Sequence, residues 1–156
     1  MKKTIMNKWV KALRSGKYKQ CREKLCNVNG QTGEESFCCL GVLTDLYLKD
    51  RKRQKKGPGI KNFNTYTKED MDYEHDFSKW SIDDEDGCLA PEVAKWAGFN
   101  MDTDDYKTGC FSNGKKEIDL ALLNDGSLNP LDYSKKTPSK SFKQIADVIE
   151  KNYEHI

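Results

Sequence analysis

"SFCCLGVLTDLY", residues 36–47, is the stretch on which the fold turns. Two adjacent cysteines, Cys38 and Cys39, open an apolar run. Cys39, Val42, Leu43, Leu46 and Tyr47 then recur at the spacing of one helical face. The spacing predicts a helix from Cys38 to about Lys49, with a stripe broad enough for the centre of a core. What the cysteines do there separates an enzyme or a metal protein from a packed domain.

A nucleophilic cysteine needs a base and a lowered pKa. The two histidines, His75 and His155, fall in an acidic stretch and beside the C-terminus, where solvated residues are the usual finding. A zinc site needs close pairs of ligands. Cys21 and Cys26 have the spacing, but the second pair is vicinal, and neighbours on a helix diverge by about 100°. With no secretory leader in the sequence, thiols are expected to stay reduced. Cys21, Cys26, Cys38, Cys39, Cys88 and Cys110 therefore read as small buried hydrophobes. No catalytic residue, metal ligand or cofactor is assigned.

Outward from this helix the pattern stays irregular. Ile5, Trp9, Ala12 and Leu13 predict a helix over about 4–15, and Gly16 stops it. "NVNGQTG" is a turn, and no strand is assigned before it. "LAPEVAKWAGF" predicts a helix between Pro91 and Gly98. "GCFSNGKKEI" centres on Asn-Gly, the favoured two-residue hairpin turn. "DLALLNDG" reads as a short helix capped by Asp119, and "SFKQIADVIEKNY" as a helix with Ser141 and Gln144 in a capping box. Residues 50–87 read as a long charged excursion with sparse anchors at Phe63, Tyr66, Tyr73, Phe77, Trp80 and Ile82. The expected fold is α+β: a single compact, mostly helical domain over 1–156, with a short β-hairpin and that long charged loop.

The charge is lopsided along the chain. Residues 1–68 carry 17 Lys and Arg against 5 Asp and Glu, and residues 69–156 carry 10 against 20. No apolar run is long enough to cross a bilayer, so a cytoplasmic protein without a membrane role is expected. The calcium-loop grammar, Gly-rich phosphate loops and hydrolase elbows are missing. "RSGKYKQCR" gathers basic, aromatic and amide groups beside a predicted helix end, a combination suited to phosphate and a base. "RKRQKK", residues 51–56, lacks interleaved aromatics and reads as a solvated segment rather than a nucleic-acid track.

"WVKALRSGKYKQ", "FCCLGVLTDLY", "LAPEVAKWAGF" and "LALLNDGS" leading into "SFKQIADVIE" occur in that order. Together they resemble a family of small, largely uncharacterised proteins of tailed bacteriophages and prophages, over about two thirds of the chain. Residues 50–87 fall outside the resemblance. Where that pattern often has a third cysteine, this chain has Thr44. The resemblance implies a phage accessory protein in the bacterial cytoplasm, of a kind that often counters host defence. Taken with the basic–aromatic patch, it leads to a non-enzymatic binder of a small phosphorylated ligand, sequestering a nucleotide immune signal. Arg14, Lys17, Tyr18 and Gln20 would contact it, with Asn124 and Asp125 supplying polar contacts. The alternatives are an inhibitor of a host defence protein acting through the acidic stretch 69–86 and, ranked below it, a nucleic-acid binder.

Overall fold

In the computed structural model, the described residues are 1–67, 69–70, 75–129 and 132–156; the side chains of 127–129 and 132–137 are not described. Among the described residues, five helices are interspersed with ten strands. Helix α1, Lys3–Arg14, buries Ile5, Met6, Trp9, Val10 and Leu13 on one face. Strands β1 (Lys19–Gln20), β2 (Cys26–Val28) and β3 (Glu35–Phe37) follow, and β3 runs straight into α2, Cys39–Arg53. Strands β4 (Phe63–Thr65), β5 (Phe77–Ser78) and β6 (Trp80–Ile82) lead to α3, Pro91–Ala97. A 3-10 turn at Asp104–Lys107 precedes β7 (Cys110–Ser112), β8 (Glu117–Asp119) and α4, Leu120–Asp125. Strands β9 (Ser127–Asn129) and β10 (Asp132–Thr137) separate α4 from α5, Phe142–Asn152.

Two parts of the expected architecture are corrected. The chain is α+β but not mostly helical, because a four-stranded sheet, ordered β1-β3-β2-β5, and three two-stranded sheets share it with the helices. The strands are two to six residues long, too short for a period-2 pattern to emerge in sequence. Nor is 50–87 a long charged loop. Helix α2 runs on to Arg53, β5 pairs with β2 at the edge of the main sheet, and β4 pairs with β6. Trp80 is buried between Phe37, at 5.9 Å, and Phe63, at 6.3 Å, so aromatic contacts anchor the segment despite its charge. Tyr73 lies outside the described residues.

One contiguous cluster of buried side chains runs from Ile5 to Ile156, centred on Trp9, Leu40, Leu43, Val93, Leu120, Ile145 and Ile149. Helices α1 and α5 pack against each other within it, and both α1 and α4 pack on α2. Trp9 Nε1 donates to the Cys39 carbonyl at 2.9 Å, so the largest buried ring has no orphaned donor. Gly41 lets α2 sit against the chain before β2: a Cβ there would fall 1.6 Å from the Leu25 carbonyl oxygen. Among the described residues no helix is long and apolar enough to cross a membrane.

Gly41→Ala therefore forces two backbones apart in a close-packed interior, and it is expected to cost about 3 kcal/mol or more. Urea unfolding monitored by tryptophan fluorescence reads this; a variant within 1 kcal/mol of the parent, on the order of experimental scatter, would contradict the close approach.

Candidate functional site

The opening cysteines have structural work. Cys38 is the N-cap of α2, its sulfur accepting from the Gly41 N–H at 3.3 Å, and Cys39 Sγ donates to the Leu120 carbonyl at 3.4 Å. Both are buried, and burial pushes the Cys38 thiol up to about 12 and the Cys39 thiol well above its ordinary value. Cys26 is likewise pushed to about 12 by burial. Thr44, in the same helix, is buried and donates to the Leu40 carbonyl at 3.1 Å. Among the described residues, no three of His, Cys, Asp and Glu form a group that could hold a metal ion.

Three of the six residues assigned to ligand contact meet inside the protein. Asn124 is fully buried at the end of α4. Its Oδ1 accepts from Gln20 Nε2 at 3.0 Å and from the Cys39 N–H at 3.2 Å. Its Nδ2 donates to the Cys21 carbonyl at 2.9 Å and to Asp125 Oδ1 at 2.7 Å. The amide has no capacity left. Gln20, in β1, donates also to the Lys140 carbonyl at 2.9 Å and accepts the Phe142 N–H at 3.1 Å. The two amides thus satisfy N–H groups in the first turns of α2 and α5. Asp125 Oδ1 further accepts the Glu23 N–H at 3.1 Å, holding a residue whose φ is +65°.

The other three stand apart from this cluster. Arg14 closes α1 onto α5, pairing with Asp147 at 2.5 Å and Glu150 at 2.7 Å. An incoming phosphate would have to displace two carboxylates and then face their charge. The Tyr18 hydroxyl donates to Asp45 Oδ2 at 2.5 Å and accepts from Lys49 at 3.2 Å. Its ring packs edge-on to Phe37, with Lys49 Nζ 5.3 Å from its centroid. Lys17 is exposed just beyond Gly16, whose φ is +69°.

A different surface gathers unpaired positive charge. The loop between β7 and β8 has four residues, Asn113 to Lys116, rather than the two expected from Asn-Gly. Asn113 Oδ1 accepts the N–H groups of Lys115 and Lys116, both at 3.1 Å, so only Gly114 takes a positive φ, +78°. Asn113 Nδ2 donates to Asn152 Oδ1 at 3.0 Å, and Asn152 Nδ2 donates to the Val148 carbonyl at 2.7 Å. These bonds fasten the hairpin tip to the last turn of α5. Between them lies a cleft of about 430 Å³ lined by Asn113, Lys115, Lys116, Lys151, Asn152 and His155. Among the described residues, none of these three lysines has an ion-pair partner within 4 Å. The sequence signal for this site was "SNGKK" read together with the end of α5, but only the packing of hairpin against helix joins them.

A family model matches residues 1–153. The chain belongs to the family described as domain of unknown function DUF8296. No curated protein and no solved structure matches it.

Asn124→Ala removes four hydrogen bonds and leaves the buried Cys39 N–H and Cys21 carbonyl unpartnered. The expected loss is about 2–4 kcal/mol in denaturant unfolding; a loss near zero would contradict the structural role.

The thiols give a second test. An acid whose pKa rises on folding keeps its proton in the native state, while the unfolded chain releases it near its ordinary value of 9.0. Stability should therefore fall as pH climbs from 9.0 toward about 12. At neutral pH the native Cys38 and Cys39 should resist iodoacetamide and react once denaturant is added. Fast native labelling of either residue, located by peptide mass mapping apart from the partly exposed Cys21, Cys88 and Cys110, would contradict it.

Proposed function

We propose that this protein is a non-enzymatic binder of a small phosphorylated ligand, held in the cleft between the β7–β8 loop and the end of α5. The observation that carries this reading is the convergence of Lys115, Lys116 and Lys151, unpaired with any carboxylate among the described residues, beside His155 and the amides of Asn113 and Asn152. Lysine ammonium groups are mobile point charges suited to phosphate oxygens. Because the loop is fixed to α5 by Asn113 and Asn152, part of the cost of assembling the site is met on folding. The cleft volume lies within the range of small-ligand sites.

The residues first favoured, Arg14, Gln20, Asn124 and Asp125, are engaged in holding elements together, which moves the proposed contacts to the lysine cleft. The proposed cellular role is that of a phage accessory protein in the host cytoplasm that sequesters a nucleotide immune signal. Its support is the order of the motifs around "FCCLGVL" and "LALLNDG", together with the lysine-lined cleft.

Thermal unfolding against linear and cyclic nucleotides and inorganic phosphates tests the reading. A ligand at about 100 times its dissociation constant adds roughly 2.7 kcal/mol, raising the midpoint by several degrees. At least one phosphorylated compound is expected to do so, and Lys115→Ala/Lys116→Ala/Lys151→Ala should abolish the shift while leaving the unliganded midpoint close to the parent's. No shift across the panel, or an undiminished shift in the triple variant, would overturn the assignment.

A further inference from the structure

The lysine cleft does not end at His155. That side chain also lines a second, more enclosed cleft of about 280 Å³ on the other side. Phe99 and Phe111 form its apolar wall, and Asn100, Thr103 and Asp105 bring polar groups to its rim. Gly98, with φ at +80°, ends α3 and turns the chain toward Asn100. The 3-10 turn, capped by Thr103, sets Asp105.

The rim groups have spare capacity of a particular kind. Asn100 Oδ1 accepts the Asp102 N–H at 3.0 Å, which leaves its amide donors unused among the described residues. Asp105 Oδ2 accepts from Thr103 Oγ1 at 2.7 Å, which leaves Oδ1 as an open acceptor. Cys110, in the same cleft, donates to Glu117 at 3.1 Å, and its thiol is pushed up to about 12 by burial and by that carboxylate, so it is neutral there. Three lysines around one cleft would draw a phosphate. A carboxylate in the adjoining one would repel a second phosphate, and favours an N–H donor instead.

We propose that the two clefts form one composite site for a nucleoside phosphate, the phosphate among Lys115, Lys116 and Lys151, the base against the Phe99–Phe111 wall. This rests on the anion-binding reading of the lysine cleft and adds the chemical class of the rest of the ligand. Asp105 accepts from an amino group on the base edge, as carboxylates do from cytosine N4, and the Asn100 amide donates to a ring nitrogen or carbonyl. His155 lies at the junction, where the sugar would pass. The selected ligands are therefore nucleotides whose base carries an exocyclic amino group.

Isothermal titration of the full chain at low salt tests this, with pyrophosphate, ribose 5-phosphate and the monophosphates of adenosine, guanosine, cytidine and uridine as probes. At least one amino-bearing nucleotide should bind tenfold or more tightly than ribose 5-phosphate, and uridine monophosphate should not. Asp105→Ala and Asn100→Ala should erase that preference while leaving ribose 5-phosphate affinity unchanged, and Lys116→Ala should weaken every phosphorylated probe. Equal affinity for ribose 5-phosphate and all nucleotides would overturn the composite site while the anion reading stands. A preference that survives both rim substitutions would overturn the assignment of Asp105 and Asn100. No binding of any probe by protein with native circular dichroism would overturn both readings.

Discussion

One buried carboxamide holds the centre of the molecule. Asn124 sits where β1, the start of α2 and the end of α4 converge, and its four hydrogen bonds leave no donor or acceptor of the side chain unmatched. Without it the buried Cys39 N–H would lack a partner, at a cost on the order of 1–3 kcal/mol. Gln20 extends the same network to the Phe142 N–H, so the starts of α2 and α5 are both satisfied from one cluster. With those helix starts fixed, Trp9 of α1 can reach the Cys39 carbonyl, and Arg14 can close α1 over Asp147 and Glu150.

The network also shows that polar groups singled out in the sequence are engaged in holding elements together. Gln20, Asn124 and Asp125 carry the groups that would suit sugar or base, and in sequence nothing distinguishes a buried structural amide from a binding one. Burial decides it: Asn124 has no exposure at all. By contrast, Lys115, Lys116 and Lys151 look like ordinary solvated charges in sequence. They line one cleft because Asn113 bonds across to Asn152 and brings a hairpin tip against a helix end 35 or more positions later.

The helices and the β7–β8 hairpin were legible, and the other paired strands were not. Helix α5 follows its Ser141–Gln144 capping box, and α3 runs between Pro91 and Gly98 as the residues dictate. Helix α4 is capped by Asp119 as read. The strands escaped because β1 and β5 have two residues each, fewer than one full alternation, and their pairing with β3 and β2 is a tertiary event. For the same reason 50–87 looked like a solvated loop: its charges are visible in sequence, whereas the contact of Trp80 with Phe37 and Phe63 is not. The vicinal cysteines were legible as packing, though not the sulfur of Cys38 acting as a helix cap.

A polar cluster builds the protein, and a separate cationic cleft is the place proposed for a ligand. Backbone amide chemical shifts followed by NMR during a pyrophosphate titration test this most directly. The account predicts perturbations concentrated at Asn113–Lys116 and Lys151–His155, with the amides of Gln20, Cys39 and Asn124 unmoved. Perturbations centred on Arg14–Gln20 and Asn124–Asp125, with the hairpin tip silent, would contradict it.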